Sequence, residues 1–509
     1  MIDQLPIINM IMFLVLALAI PFLRKVSFRL TLILGFVVLG LVTVSSVFIL
    51  TDVMASGPIL YRLGGHERLI GIELEVDLIA ALISLFILGL ALVIYIYSTG
   101  DATEGIEERE YARYYILFFI LMFSLFGMVY ANDLFNNYVF MEIMSITTCS
   151  IISIKRKKDT YTSAFRYVML NEIGSLSFLF GVALLYMATG FTNITLLQQA
   201  LSTLWPAYSA NVIIALGFML VGLGIKAAIF PFHIWLPDAH ASAPSTSSAI
   251  LSGIVIKIYL FVMIKVLFKV FGLRILDDLN ISAALIAIGS LGMIFGSLFA
   301  IAQKDIKRLL GYSSIAQVGY IVLGIGLFSE LGLAASVFHI FSHGMMKSAL
   351  FLSVGIVVFQ TKRRKIADFA GLGQQLPLSM GVFGIAALAM IGLPLTSGFI
   401  SKLTLGVAAL DHNQGYLIVI VILSSLLGVI YYLPILVSAF LKRIPEDAAR
   451  PHLEKVPRPM IAAIVILALA IIVFGVFPNW ILDIIEQAVA MLGLPDRKST
   501  RLNSSHGKL

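Results

Sequence analysis

Four charged side chains sit inside long apolar runs: Glu142 in YVFMEIMSITT, Lys226 in LVGLGIKAAIF, Lys257 in LSGIVIKIYLF, and Lys402 directly after PLTSGFIS. A charge at the centre of a bilayer costs about 2.5–3.5 kcal/mol on insertion scales, so each needs a partner, water or a function. His339, His343 and Lys347 follow at i, i+4 and i+8 in VFHIFSHGMMKSALF, which stacks all three on one helix face. Successive groups then stand one turn apart, about 5.4–6 Å, too far for a direct proton hop but suited to hops through intervening water. Proton transfer is the chemistry these types and spacings fit. A buried Glu–Lys couple can exchange its ion pair for a proton, because a low dielectric disfavours the charged form of each partner. A fixed structural ion pair is the competing reading.

Other chemistries fit less well. Two histidines at i, i+4 could hold zinc, but no HExxH and no carboxylate nearby on that helix accompany them. Haem usually takes one histidine from each of two helices, and no flavin or iron–sulfur ligand set is visible, so neither cofactor nor metal is expected. The one cysteine, Cys149, lies in an apolar run and reads as a small buried hydrophobe. His233 and His240 flank a proline-rich stretch and suit either transport or the capping of freed carbonyls. Glu172 in YVMLNEIGSL reads as interfacial, and Lys265 and Lys269 near a helix end read as snorkelling to the surface.

The elements that must position these groups follow from composition. Of 509 residues, 60% are apolar and 12% charged, whereas soluble domains run near a quarter charged. At about 20 residues per span, the apolar matter suffices for roughly fourteen membrane helices. Apolar runs place them near 6–23, 29–51, 76–98, 111–131, 134–154, 163–189 and 209–232, then 245–271, 280–301, 307–328, 331–360, 377–410, 414–441 and 459–482. No basic n-region precedes the first run, which reads as a span and not a signal peptide. Alternation around Gly64-Gly65 predicts a hairpin within 52–75.

The net charge of +7 comes from basic residues clustered in short loops, which argues for membrane topology and against a nucleic-acid partner. Clusters such as Lys155/Arg156/Lys157/Lys158 and Lys362/Arg363/Arg364/Lys365 fall on one side and few basic residues on the other, so the positive-inside rule places both termini outside. The seventh span is broken at Phe230-Pro231 and Pro237 and the twelfth at Gly392-Leu393-Pro394, each beside a lysine. Paired interrupted helices point to inverted repeats with an ion path through each. The expected organisation is residues 1–110 with the first three helices, a first five-helix repeat at 111–271, a second at 279–442, a loop and last helix at 443–495, and a polar tail, disordered or artefactual, at 496–509.

These residues lie in stretches that resemble one family, the antiporter-like subunits shared by Mrp sodium/proton antiporters, respiratory complex I and membrane-bound hydrogenases. FPFHIWLPDAHASAPSTSSAILSG (230–253) resembles its seventh-to-eighth helix signature, KRLLGYSSIAQVGY (307–320) its tenth helix and HIFSHGMMKSALFL (339–352) its eleventh. RLGGHERLIGIELEVD (62–77) is similar to its outer hairpin, so the likeness reaches to about residue 480. The resemblance implies that Glu142 and Lys226 form a gating pair, that Lys257 and His343/Lys347 relay protons, and that Lys402 serves an exit half-channel. The short IEQAVAMLGLP after the last span implies that the long lateral helix of the largest respiratory subunit is absent.

The expected protein is therefore an all-α polytopic subunit of a multisubunit sodium/proton antiporter in the cell membrane. Its partners would be other membrane subunits, with protons passing along Glu142, Lys226, Lys257, His339, His343, Lys347 and Lys402. One alternative is the proton-pumping membrane subunit of an NADH-quinone oxidoreductase-like or hydrogenase complex, an enzyme whose redox site would lie in another chain. The other is a stand-alone solute carrier whose lysines bind an anion.

Overall fold

A computed structural model describes residues 2–65, 71–100, 106–205, 207–442 and 455–494. The proposed tail at 496–509 and part of the loop expected before the last helix lie outside them. The first helices are α1 (Leu5–Val26) and α2 (Phe28–Ser56), then the hairpin strands β1 (Ile59–Arg62) and β2 (Glu73–Val76), then α3 (Leu78–Gly100), α4 (Tyr111–Tyr130), α5 (Leu134–Ser153) and α6 (Lys158–Thr189). A short amphipathic α7 (Ile194–Leu204) precedes α8 (Ser209–Lys226), α9 (Trp235–Ser242) and α10 (Ser245–Asp278). After these come α11 (Ile281–Ile301), α12 (Ile306–Gly326), α13 (Glu330–Thr361), α14 (Pro377–Ile391), α15 (Ser397–Asp411), α16 (Tyr416–Leu441), α17 (Arg458–Val476) and α18 (Asn479–Ala490).

Twelve helices among the described residues are long and apolar enough to cross a bilayer. The two other expected spans take different forms. α5 has the length, but Asn136, Asn137 and Glu142 lower its mean hydropathy. The twelfth span is divided into α14 and α15, with Gly392 and Leu395 at positive φ between them. The seventh is likewise divided: α8 ends at Lys226 and the chain turns before α9. The last expected span, 459–482, stops at Val476 because Phe477-Pro478 ends it, and α18 starts afresh with Pro478 as its N-cap. α7 has no counterpart in the sequence reading; Asn193 caps it by accepting from Thr195 and Leu196 N–H groups.

Burial separates the middle of the fold from its rim. The most apolar windows of α10 and α13 are wholly buried and that of α12 is 94% buried, against 28–44% in α1, α2, α6 and α11. Residues expected to carry protons therefore sit on the central helices, α10 and α13 among them. Within α10 the segments Leu251–Val255 and Lys265–Phe271 are π-helical, an irregularity common where a helix has work to do.

Helix pairs approach through small residues, as membrane packing without a hydrophobic driving force requires. In the α11–α12 crossing a Cβ on Gly319 would stand 2.6 Å from Gly289 O and 2.7 Å from Met293 N, so backbone meets backbone. The α6–α8 crossing repeats this with Gly222 against Gly174 O at 2.5 Å.

The predicted hairpin is present, with Ile59 opposite Val76 and Arg62 opposite Glu73. Buried Glu73 receives Arg62 at 3.1 Å and Asn132 Nδ2 at 2.9 Å, fastening the hairpin to the α4–α5 link. Lys269 of α10 is not a snorkelling side chain: it pairs with Glu75 at 3.1 Å and Asp77 at 2.7 Å. Burial pushes the Asp77 carboxyl up, but the Lys269 ammonium beside it outweighs this and holds it below the usual carboxylate value.

Gly319→Ala is expected to lower stability by about 1–3 kcal/mol, the usual cost of overpacking a tight core. Thermal unfolding of the detergent-purified protein measures it; an unchanged midpoint would show that the α11–α12 crossing is not close-packed.

Candidate functional site

The expected site residues begin with a loose couple. Lys226, at the last turn of α8 and fully buried, donates to Ser145 Oγ and lies 3.9 Å from Glu142 Oε1. The carboxylate oxygen has no hydrogen bond of its own, so the ion pair is at the edge of contact. Ser145 stands one turn beyond Glu142 on α5, and its Oγ is 3.5 Å from the Tyr259 hydroxyl, whose ring lies beneath the Lys226 ammonium. Glu172, on α6, faces Glu142 and Lys226 and is half-buried, so it joins the couple and is no bystander at the interface.

Lys257 lies two residues before Tyr259, just past the π-helical turn Leu251–Val255, and its ammonium donates to Ser252 O within that turn. The Ser252 hydroxyl meets Ser314 Oγ at 2.9 Å, and Ser314 donates to Leu310 O. Lys347 arrives from the other side, donating to the same Leu310 O at 2.7 Å and to Ser313 Oγ, which meets Tyr432 OH at 3.0 Å. A Ser313-Ser314 pair on α12 thus links the lysines of α10 and α13.

Along α13 the His339 and His343 rings stack with centroids 5.9 Å apart, matching the one-turn spacing read from sequence. Neither ring nitrogen of His343 has a protein hydrogen-bond partner, although the residue is wholly buried. His339 Nδ1 meets Ser401 Oγ at 2.8 Å, and its ring packs against Tyr320 at 5.5 Å. Tyr320 then lies under Lys402, whose ammonium is 4.8 Å from the ring centroid. Lys402 donates to Met390 O at 2.8 Å, Ile391 O at 3.0 Å and Ser425 Oγ at 3.0 Å. The two carbonyls are the free C-terminal end of α14, so the lysine holds the break together. Lys402 and Ser425 also line a cavity of about 470 Å³ between α15 and α16.

All seven expected residues therefore belong to one row across the middle of the bundle. Among the described residues, Lys257, Lys347 and Lys402 pair with no carboxylate; their acceptors are carbonyls and hydroxyls. No three His, Cys, Asp or Glu side chains among the described residues gather as a metal site would need.

Comparison with known proteins decides the family. Residues 131–428 match the model described as NADH:quinone oxidoreductase/Mrp antiporter, TM. The chain belongs to this family. It is 34% identical to an NADH-quinone oxidoreductase subunit N from Desulforudis audaxviator, over 97% of this chain and 99% of that one. It is 32% identical to the D-type subunit of an Na(+)/H(+) antiporter from Alkalihalophilus pseudofirmus, over 80% of each. The fold superimposes on a chain of the Mrp complex from Dietzia sp. with a TM-score of 0.87 at 24% identity, covering 96% of this chain and 97% of that chain. It also matches a chain of the membrane-bound sulfane sulfur reductase, an archaeal respiratory membrane complex, at 0.86 and 28%, covering 96% and 98%.

Within this family member, several site residues escape a reading of sequence. Ser145, Tyr259, Ser313, Ser314 and Tyr320 are ordinary in a membrane helix, and only packing reveals them as links. The signal available is their spacing from the charges: Tyr259 two after Lys257, Ser145 three after Glu142. His240 is wholly buried, stacked on Phe351 at 4.6 Å with both nitrogens lacking protein partners, so it caps no carbonyl through its ring. Its surroundings include Lys347, Lys257 and Lys307. At the break before α9 the capping falls instead to Trp235, whose Nε1 donates to Ile225 O at 2.9 Å.

Lys265 also departs from expectation. It is 5% exposed and donates to Val129 O at 3.1 Å and Ala131 O at 2.7 Å, clamping the end of α4 beside the start of α5. Lys265→Met is expected to cost about 1–3 kcal/mol for each carbonyl stripped of its donor. A thermal midpoint equal to that of the wild type would remove the clamp.

Proposed function

We propose that this chain is the proton-translocating subunit of a multisubunit membrane complex, and that protons cross it along Glu142, Lys226, Lys257, His343, Lys347, His339 and Lys402. The observation that carries the reading is the row of buried lysines held only by carbonyls and hydroxyls. Such an ammonium has no fixed counter-ion, so it exchanges its proton with water or a neighbour without breaking an ion pair. The orphan nitrogens of His343 support water as the connecting medium, since buried polar groups nearly always bind something.

Lys226 is the point of control. Closing on Glu142 favours the ammonium; opening toward Ser145 and Tyr259 releases its proton toward Lys257. Residues 111–271 and 279–442 act as two inverted halves, each with a broken helix ending at the row. The hairpin face and both termini lie outside, as the basic loops favour.

Two drivers fit. The sequence motifs favour antiport against sodium, whereas the relative matched over nearly the whole chain is an NADH-quinone oxidoreductase subunit N, which favours a redox-driven complex. Other membrane subunits are the partners in both cases.

In proteoliposomes of the complete complex, Lys226→Ala or Glu142→Ala is expected to slow proton movement by about 10²-fold, the usual worth of a positioned acid or base. Assembly should stay intact on size exclusion. Wild-type rates in either variant would remove the couple from the path. Purification of the tagged chain separates the drivers: co-purifying iron–sulfur subunits support the redox complex, and small Mrp-type subunits support antiport.

A further inference from the structure

We propose that a second cavity, remote from the proton row's own contacts, binds one acyl chain of a membrane phospholipid. It encloses about 340 Å³ between α2, α3, α13, α17 and α18. Leu82, Phe86 and Leu90 of α3, Phe341 and Met345 of α13, and Trp480 of α18 shape it. Among the described residues, no charged side chain lines it. Apolar cavities of even about 150 Å³ stay dry and take apolar molecules, so water is excluded as the occupant.

Length and depth select a lipid tail. The wall on α3 runs from Leu82 to Val93, eleven residues or about 17 Å of helix. That is roughly half of a hydrocarbon core about 30 Å thick, the depth of one leaflet. The cavity begins at α18, which buries Ile481, Ile485 and Val489 and exposes Asp483 and Glu486. A helix of that pattern lies in the plane of the interface, where a headgroup would sit. The surfaces flanking the cavity on α2 and α17 expose Val47, Phe48, Leu469 and Val473, which bilayer lipid covers, so the cavity is an inlet from that lipid. Gly89 adds an independent mark: a Cβ there would meet nothing within 4 Å, so the wall has been left without a side chain where a tail would pass.

The inner end of the chain would rest on Phe341 and Met345, the residues on either side of His343 along α13. Phe86 stacks on Phe341 at 4.6 Å and presses against Gly344. An acyl chain there would seal the back of the helix that carries His339, His343 and Lys347 from stray water. This sealing role rests on the proton-transfer reading; the binding site does not.

The test uses the purified complex in vesicles of phosphatidylcholine doped with an analogue bearing a diazirine near its acyl methyl end. After illumination, mass spectrometry is expected to find adducts on the α13 peptide at Phe341–Met345 and on Leu90. Gly89→Leu, which fills the cavity, should reduce them about tenfold or more at an unchanged thermal midpoint. If Gly89→Leu fails to fold, Ala470→Leu fills the opposite wall for the same comparison. Adducts confined to exposed faces, or undiminished in the folded variant, would overturn the proposal. So would adducts that an isoprenoid quinone displaces but unlabelled phosphatidylcholine does not. Loss of adducts without any rise in proton leak would refute the sealing role alone.

Discussion

A lysine ammonium in a membrane interior must find oxygen, and in this protein most of that oxygen is backbone. An intact α-helix has no carbonyl to spare, because each accepts from the residue four ahead. The chain creates spare ones through irregularity: the π-helical turn offers Ser252 O to Lys257, and the gap after α14 offers Met390 and Ile391 O to Lys402. Breaks and bulges that would be defects in a soluble helix are here the ligands of the cations, and the positions of one dictate the positions of the other.

The same need explains why the central helices lie so close. Hydroxyl links are short, so Ser252 and Ser314 can meet at 2.9 Å only if α10 and α12 approach closely. Glycine crossings at the rim, Gly319 on Gly289 and Gly222 on Gly174, draw the peripheral helices tight around that core. Hairpin and α10 then close one end through Glu75, Asp77 and Lys269, while Lys265 ties α10 to the α4–α5 link from which the helix of Glu142 departs.

Much of this is legible in the sequence because membrane helices advertise themselves: length and hydropathy mark the spans, and charges out of place mark the row. Proline and glycine signal both breaks. The failures share a cause. Distance along a helix assigns Lys265 and Lys269 to the surface, but a hairpin distant in sequence folds over them. His240 can be read two ways because nothing local says whether a carbonyl lies within reach. α7 and the stop at Val476 depend on a cap and a proline whose effects span only a turn, finer than an apolar window detects. The serines and tyrosines that join the charges are too common in membrane helices to stand out before their neighbours are known.

Lys402 ties structure to charge state in a further way. Its ammonium is the donor for two carbonyls that terminate α14, so the helix end and the proton share one bond. On the proposed reading, an amine that has lost its proton keeps fewer hydrogens to give, and those carbonyls must seek other donors. The broken helix thereby becomes a lever: chemistry at one nitrogen is converted into a pull on backbone that a neighbouring subunit could feel.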